Sequence, residues 1–275
     1  MATNASATRR PAKSRLIPVR KISDEDLRFA LHAGRADFQA MRGDIIIAGL
    51  VYTLLGIAAA VMTTNRPLMP FFLPVVAGVG LFGPAAAVGF YELARRNERG
   101  DHNNWSHFFD FRKRPTADDM GIVAGLLLVI FFLWLLAAGA LYALIFGWAT
   151  PTSITDFLAM VFTTPRGWAL IAGGLVLGAI FGWIVLAISV VSLPMLVDCD
   201  VSASQAVSTS WRAAHANKAE MFRWGLMVTG LLVLGSIPLF VGLAVVIPWL
   251  GYSTWHLYTR LVDRDAIPAR SRRKQ

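Results

Sequence analysis

The sequence predicts an all-α, polytopic membrane protein of six transmembrane helices with short amphipathic helices at the membrane surface. Three observations carry that expectation. Of 275 residues, 56% are apolar and only 16% are charged, against the roughly 25% charged residues of soluble domains. The charge-free runs are long enough to cross a bilayer, which takes about 20 residues of helix. The 26 Lys and Arg residues, set against 17 Asp and Glu, are also distributed unevenly along the chain, as the positive-inside rule demands. Such a composition excludes a soluble enzyme, a disordered chain and a disulfide scaffold. The single cysteine, Cys199, cannot form an intramolecular disulfide, and its neighbours Asp198 and Asp200 oppose a reactive thiolate.

Residues 1–22 are rich in Ala, Ser, Thr and Pro and carry six basic residues and no acid, which reads as a disordered basic arm. No apolar run occurs in the first 43 residues, so no cleavable secretory signal is expected. Ser23 followed by Asp26 opens a helix with a capping box. Leu27, Ala30, Leu31, Gly34, Phe38 and Met41 then recur at helical spacing, so residues 23–43 form an amphipathic cytoplasmic helix at the interface.

The transmembrane domain occupies residues 44–262, and residues 263–275 are a basic tail. Span one is residues 45–62. Span two is residues 71–91, kinked at Gly83-Pro84. Thr116 and Asp119 cap the third, within residues 120–148, and the fourth lies within residues 167–197. The last charge-free run, residues 224–259, has 36 residues; as one helix it would be about 54 Å long, beyond a ~30 Å hydrocarbon core. It must turn, and Gly235-Ser236-Ile237-Pro238 is the turn expected. With six spans, 24 of the 26 basic residues fall on one side and 2 on the other. Both termini are therefore expected in the cytoplasm. Ser153 and Asp156 open a short helix on the outer surface. In the fourth loop Ala203, Ala206, Val207, Ser210, Trp211 and Ala214 share one helical face.

Candidate sites are few. Glu92, Arg95, Arg96, Asp198 and Asp200 gather at the cytoplasmic ends of spans, where they form either an ion-pair network fixing helix ends or a site for an anionic headgroup or partner protein. Gly174, Gly178 and Gly182 repeat every four residues, a helix-packing face that serves the same bundle or an oligomeric contact. Trp105, Phe108, Phe109 and Phe111 ahead of Arg112-Lys113-Arg114 suit anchoring in anionic headgroups rather than nucleic-acid binding. His32, His102, His107 and His215 fall outside the spans, which leaves His256 as an interfacial aromatic-belt residue. One such histidine cannot make a bis-histidine haem site within the chain, and neither a metal, a cofactor nor a catalytic residue is expected.

The runs VAGVGLFGPAAAVGFYELARRNERGD (76–101), SVVSLPMLVDCDVSASQAVSTSW (189–211) and IPWLGYSTWHLYTRL (247–261) together resemble a family of predicted integral membrane proteins of proteobacteria, a domain of unknown function. The resemblance covers roughly residues 24–262 and implies a bacterial inner-membrane protein. It brings no catalytic residues. The expected function is a non-enzymatic accessory or scaffolding role among other membrane proteins, with homo-oligomers allowed. The alternative is a small permease or lipid-handling protein built on the kinked span. An ionisable residue at mid-bilayer would favour the alternative, and the ionisable residues avoid that depth.

Overall fold

The computed structural model describes residues 16–41, 54, 70–71, 74–75, 83–147, 153–238 and 240–267. All of span one but residue 54, and residues 72–73 and 76–82 of span two, lie outside the described residues, as do residues 1–15 and 268–275. Every named element among the described residues is helical, and the one extended pairing there is an antiparallel bridge between Val19 and Val262. The fold class is all-α.

Helix α1 is Asp24–Ala40. The Ser23 amide donates to the Asp26 carboxylate at 2.9 Å, the return half of the expected capping box. Leu27, Ala30, Gly34 and Phe38 are buried, against the C-terminal half of a helix 200 residues further on, α8 (Leu243–Leu261). A Cβ at Gly34 would lie 2.6 Å from the Ser253 Cα, so only glycine permits this approach. The Trp249 indole donates to the Leu31 carbonyl at 2.9 Å. The apolar face expected at the membrane surface is thus covered by protein.

Residues 83–86 are helical and lead into α2, Val88–Arg99, with the Ala87 amide donating to the Gly83 carbonyl at 2.8 Å. Pro84 stands in the first turn of this described stretch, where a missing N–H costs no helical bond. Whether it kinks a longer helix falls outside the described residues. Gly100 ends α2 in the left-handed region (φ 71°), and a 3-10 helix, Trp105–Lys113, follows.

Helices α3 (Ala117–Phe146, 30 residues) and α5 (Pro165–Asp198, 34 residues) are long and apolar enough to cross a membrane. At 1.5 Å per residue they measure about 45 and 51 Å. In their most apolar stretches, only 28% and 33% of the residues are buried, unlike the core helix of a soluble protein. Leu126, Val129, Phe132, Leu133 and Leu136 on α3, and Leu175, Val176 and Ile180 on α5, are exposed. Side chains of this kind need lipid rather than water around them.

The expected cap of α3 works differently. Thr116 makes no side-chain cap bond; its hydroxyl donates to the Leu196 carbonyl of α5 at 2.7 Å. Its backbone is already turned towards helix (φ −87°, ψ 8°), unlike the extended residue that caps well. Asp119 instead accepts from the Ala203 amide at 2.7 Å, at the start of α6 (Ala203–Ala216). Ser153 does cap α4 (Ile154–Thr163), accepting from Asp156 N. The Thr164 hydroxyl then accepts from Gly167 N at 3.0 Å, and Pro165 occupies the first turn of α5.

Helix α6 packs on α5 through Ala206, Thr209, Ser210, Ala213 and Ala214. Trp211 remains exposed. The face is therefore rotated from the expected one, because close approach selects small side chains over large apolar ones. The Ser210 hydroxyl accepts from the Val191 amide of α5 at 3.1 Å. Helix α7, Lys218–Ser236, ends at the expected turn, and α8 begins at Leu243. These two helices have 19 residues each; charges at the start of α7 and a polar C-terminal half of α8 make them less apolar than α3 and α5. Two spans are thus apparent among the described residues, and six are not established.

The sequence reads residues 1–22 as disordered, yet residues 16–22 are pinned. Arg20 N donates to Leu261 O at 2.8 Å and Asp263 N to Pro18 O at 3.1 Å. Asn217 binds both the Ile22 amide and the Arg20 carbonyl, each at 3.0 Å, and Ile17 and Ile22 are buried. The polar composition of the whole arm conceals these apolar anchors.

Candidate functional site

The helix ends meet in a layer where large aromatic side chains lie under a network of charges. Trp224, Trp255, Tyr91, Tyr252, Tyr258 and Phe90 are fully buried there. Ionisable groups over such a layer are partly withdrawn from water and must be paired. They form three adjoining groups, all of which involve α2 or the residues just after it.

The first centres on Glu92, whose side chain is 1% exposed. Arg95 and Arg96, three and four residues on, bind its carboxylate at 2.6 and 3.1 Å, the ordinary reach of one helical turn. Arg114, from the end of the 3-10 helix, adds a bond of 2.9 Å. Burial raises the Glu92 carboxyl, but the hydrogen bonds from Arg95 and Arg114 outweigh it and hold the group below its ordinary range. Arg96 continues to Asp110 at 3.0 Å, which also binds His107 at 2.7 Å and Lys113 at 2.6 Å. A cavity of about 290 Å³ opens beside this group.

The second centres on Asp198 at the end of α5. Arg264 approaches at 2.9 Å, Arg99 at 3.4 Å, and the Tyr258 hydroxyl donates at 3.0 Å. Arg264 also binds Glu98 at 2.5 Å, which accepts from the Trp255 indole at 3.0 Å. Cys199 is buried beside them. Burial, then the charge of Asp198, push its thiol up to about 12, so it is protonated and unreactive near neutrality. The third group joins α1 to α8 and α2: Asp37 binds His256 at 2.7 Å and Asn97 at 2.6 Å.

The candidate charge network therefore divides. Glu92, Arg95 and Arg96 come together, while Asp198 is met by Arg99, one turn further along the same helix, and by Arg264. Asp200 has an interaction of its own. Sequence reasoning missed Asp110, Glu98, Arg99 and Arg264, and assigned Arg114 to headgroup anchoring rather than to Glu92. The spacing 92, 95, 96, 99 on one helix face was the available signal, since partners three or four residues away precede remote ones. His256, expected in an aromatic belt, is paired with Asp37 and stands edge-on to Phe29 at 6.1 Å. Trp105 and Phe108 do not anchor outward: both pack on Phe90, at 6.0 and 5.1 Å between ring centres. Phe109 is the outward one, 56% exposed.

On α5, a Cβ at Gly178 would touch the Trp134 ring of α3 at 3.7 Å, while Gly174 and Gly182 would meet no described atom within 4 Å. The close contact between these helices falls at Gly173, whose Cβ would lie 3.0 Å from Leu141. Among the described residues no group of His, Cys, Asp and Glu is arranged to hold a metal.

Long lipid-facing helices over a charged layer define a helical integral membrane protein. Residues 72–198 match the model of a family described as predicted integral membrane protein (DUF2189), whose function is unknown. That segment runs from span two to the last residue of α5 and contains both Glu92 and Asp198. No curated protein and no solved structure gives a significant match.

Proposed function

We propose that this chain is a non-enzymatic, six-span protein of a bacterial inner membrane, with both termini cytoplasmic, that works by association with other membrane proteins. The Val19–Val262 bridge carries the topological part, because chain ends held together require an even number of crossings between them. The split of 24 basic residues to 2 then orients that side towards the cytoplasm. The association part is supported by α5. On the one face that carries all three glycines, Gly178 touches α3, while Gly174 and Gly182 meet no described atom within 4 Å and adjoin exposed Leu175 and Val176, a surface of the type used in helix–helix contact.

Membrane-embedded crosslinking tests this. Gly174→Leu and Gly182→Leu should leave the protein folded and reduce crosslinks to partners or to a second copy. Unchanged crosslinking in both variants would reject the association surface. Solute or lipid flux by the pure protein in liposomes, abolished by changes at Gly83-Pro84, would favour the permease reading instead.

A further inference from the structure

We infer that the cavity beside Glu92 is a binding site for a phosphate group, carried by a lipid headgroup or free in solution. The inference does not depend on the association reading above. It begins with a charge imbalance. Arg95, Arg96, Lys113 and Arg114 line the cavity with Glu92 and Asp110; four cations against two carboxylates leave a formal surplus of two positive charges. Lys113 is exposed, but Arg95, Arg96 and Arg114 are largely withdrawn from water, where a charge left uncompensated is costly. Here the two carboxylates are shared out. Glu92 accepts from Arg95 through both its oxygens, at 2.6 and 3.3 Å, and from Arg96 and Arg114 at 3.1 and 2.9 Å. Asp110 takes Arg96 and Lys113 and meets His107.

Each guanidinium has five N–H donors, and these bonds engage about two on each. All three guanidinium-bearing residues line the cavity of about 290 Å³, room enough for a phosphate. A doubly charged phosphate would cancel the surplus, and guanidinium forks match its oxygens in pairs. Burial first, and then repulsion from Arg95 and Arg99, outweigh the pull of Glu92 and lower the pKa of Arg114 from the ordinary value. An anion would relieve the repulsion.

Position favours a headgroup as one source. Arg114 lies six residues before α3 enters its apolar course at Met120, after Asp118 and Asp119, and the exposed Phe109 ring, with Arg112 over its face at 5.1 Å, belongs to the 3-10 helix that Arg114 ends. Basic pockets so placed suit anionic lipid.

The test uses the full chain purified in a neutral detergent. Its unfolding is followed during titration with phosphatidic acid, with inorganic phosphate, and with phosphatidylcholine as the reference lipid. A saturable rise in melting temperature is expected with phosphatidic acid but not with phosphatidylcholine. Response to phosphatidic acid alone assigns a headgroup; response to inorganic phosphate assigns the phosphate group from either source. Lys113→Gln, at an exposed side chain, should weaken the apparent affinity roughly fivefold, while Lys218→Gln on α7 should leave it unchanged. Glu92→Gln would raise the surplus to three, so its lost stability should be recovered by the anion, which a purely structural ion pair would not do. Absence of any saturable rise, or an undiminished response in Lys113→Gln, overturns the site.

Discussion

Glu92 illustrates how much one buried carboxylate can control. Three guanidiniums depend on it within a layer that excludes most water, so Glu92→Gln keeps the shape but leaves those charges unanswered. Removing one partner of a buried pair costs about 3–5 kcal/mol, and a loss of this order is expected in denaturant unfolding of the protein without added anion. The sign of the acid response follows from the same geometry. The folded-state pKa of Glu92 is depressed, so its contribution is fully present above the unfolded value of about 4.3. It is lost as pH falls below that value through the folded pKa. A melting curve measured from neutral pH downwards should therefore show this component weakening only below about pH 5, and the weakening should be absent in Glu92→Gln. Cys199 offers a second check. With its thiol pushed up to about 12 and buried, maleimide labelling at pH 8 should be slow in the folded protein and fast after unfolding. Equal rates would place the thiol in water.

Helix α1 shows that amphipathicity states that a face must be buried but not against what. A lipid surface and a protein groove both satisfy the same spacing of Leu27, Ala30, Gly34 and Phe38. The groove prevails because Gly34 admits Ser253 and because Asp37 meets His256 at 2.7 Å. Gly34→Leu should separate α1 from α8, read as faster hydrogen exchange over residues 24–40 with α3 and α5 unchanged. Undisturbed protection there would refute the packing. The same reasoning explains α6, whose expected face was rotated towards Thr209 and Ala213: hydropathy ranks Trp211 above alanine, while a close helix contact favours alanine. In α3 the expected cap residues are present and employed elsewhere, Thr116 on α5 and Asp119 on α6. Capping patterns identify donors and acceptors; only the neighbouring helix reveals which pairing wins.

At the scale of the whole molecule, the bridge between Val19 and Val262 ties the two ends of the described chain together. Residues paired across such a bridge have Cα atoms about 4.5–5.5 Å apart, within the range a disulfide spans. Val19→Cys with Val262→Cys, in a Cys199→Ser background, should therefore crosslink readily on oxidation, and fusions at either terminus should report the same side of the membrane. Opposite reports would overturn both the bridge and an even number of spans. Composition, charge distribution and apolar runs were sufficient to determine from sequence that this is a helical membrane protein, and where the turn after Ser236 falls, because those properties are local and depend on solvent preference alone. Partner choice was not legible. Arg99 with Asp198, Arg264 with Glu98, and Asp37 with His256 lie 99, 166 and 219 positions apart. Pairing of charges at that range depends on which helix ends are brought together, and only the packing of α1, α2, α5 and α8 decided it.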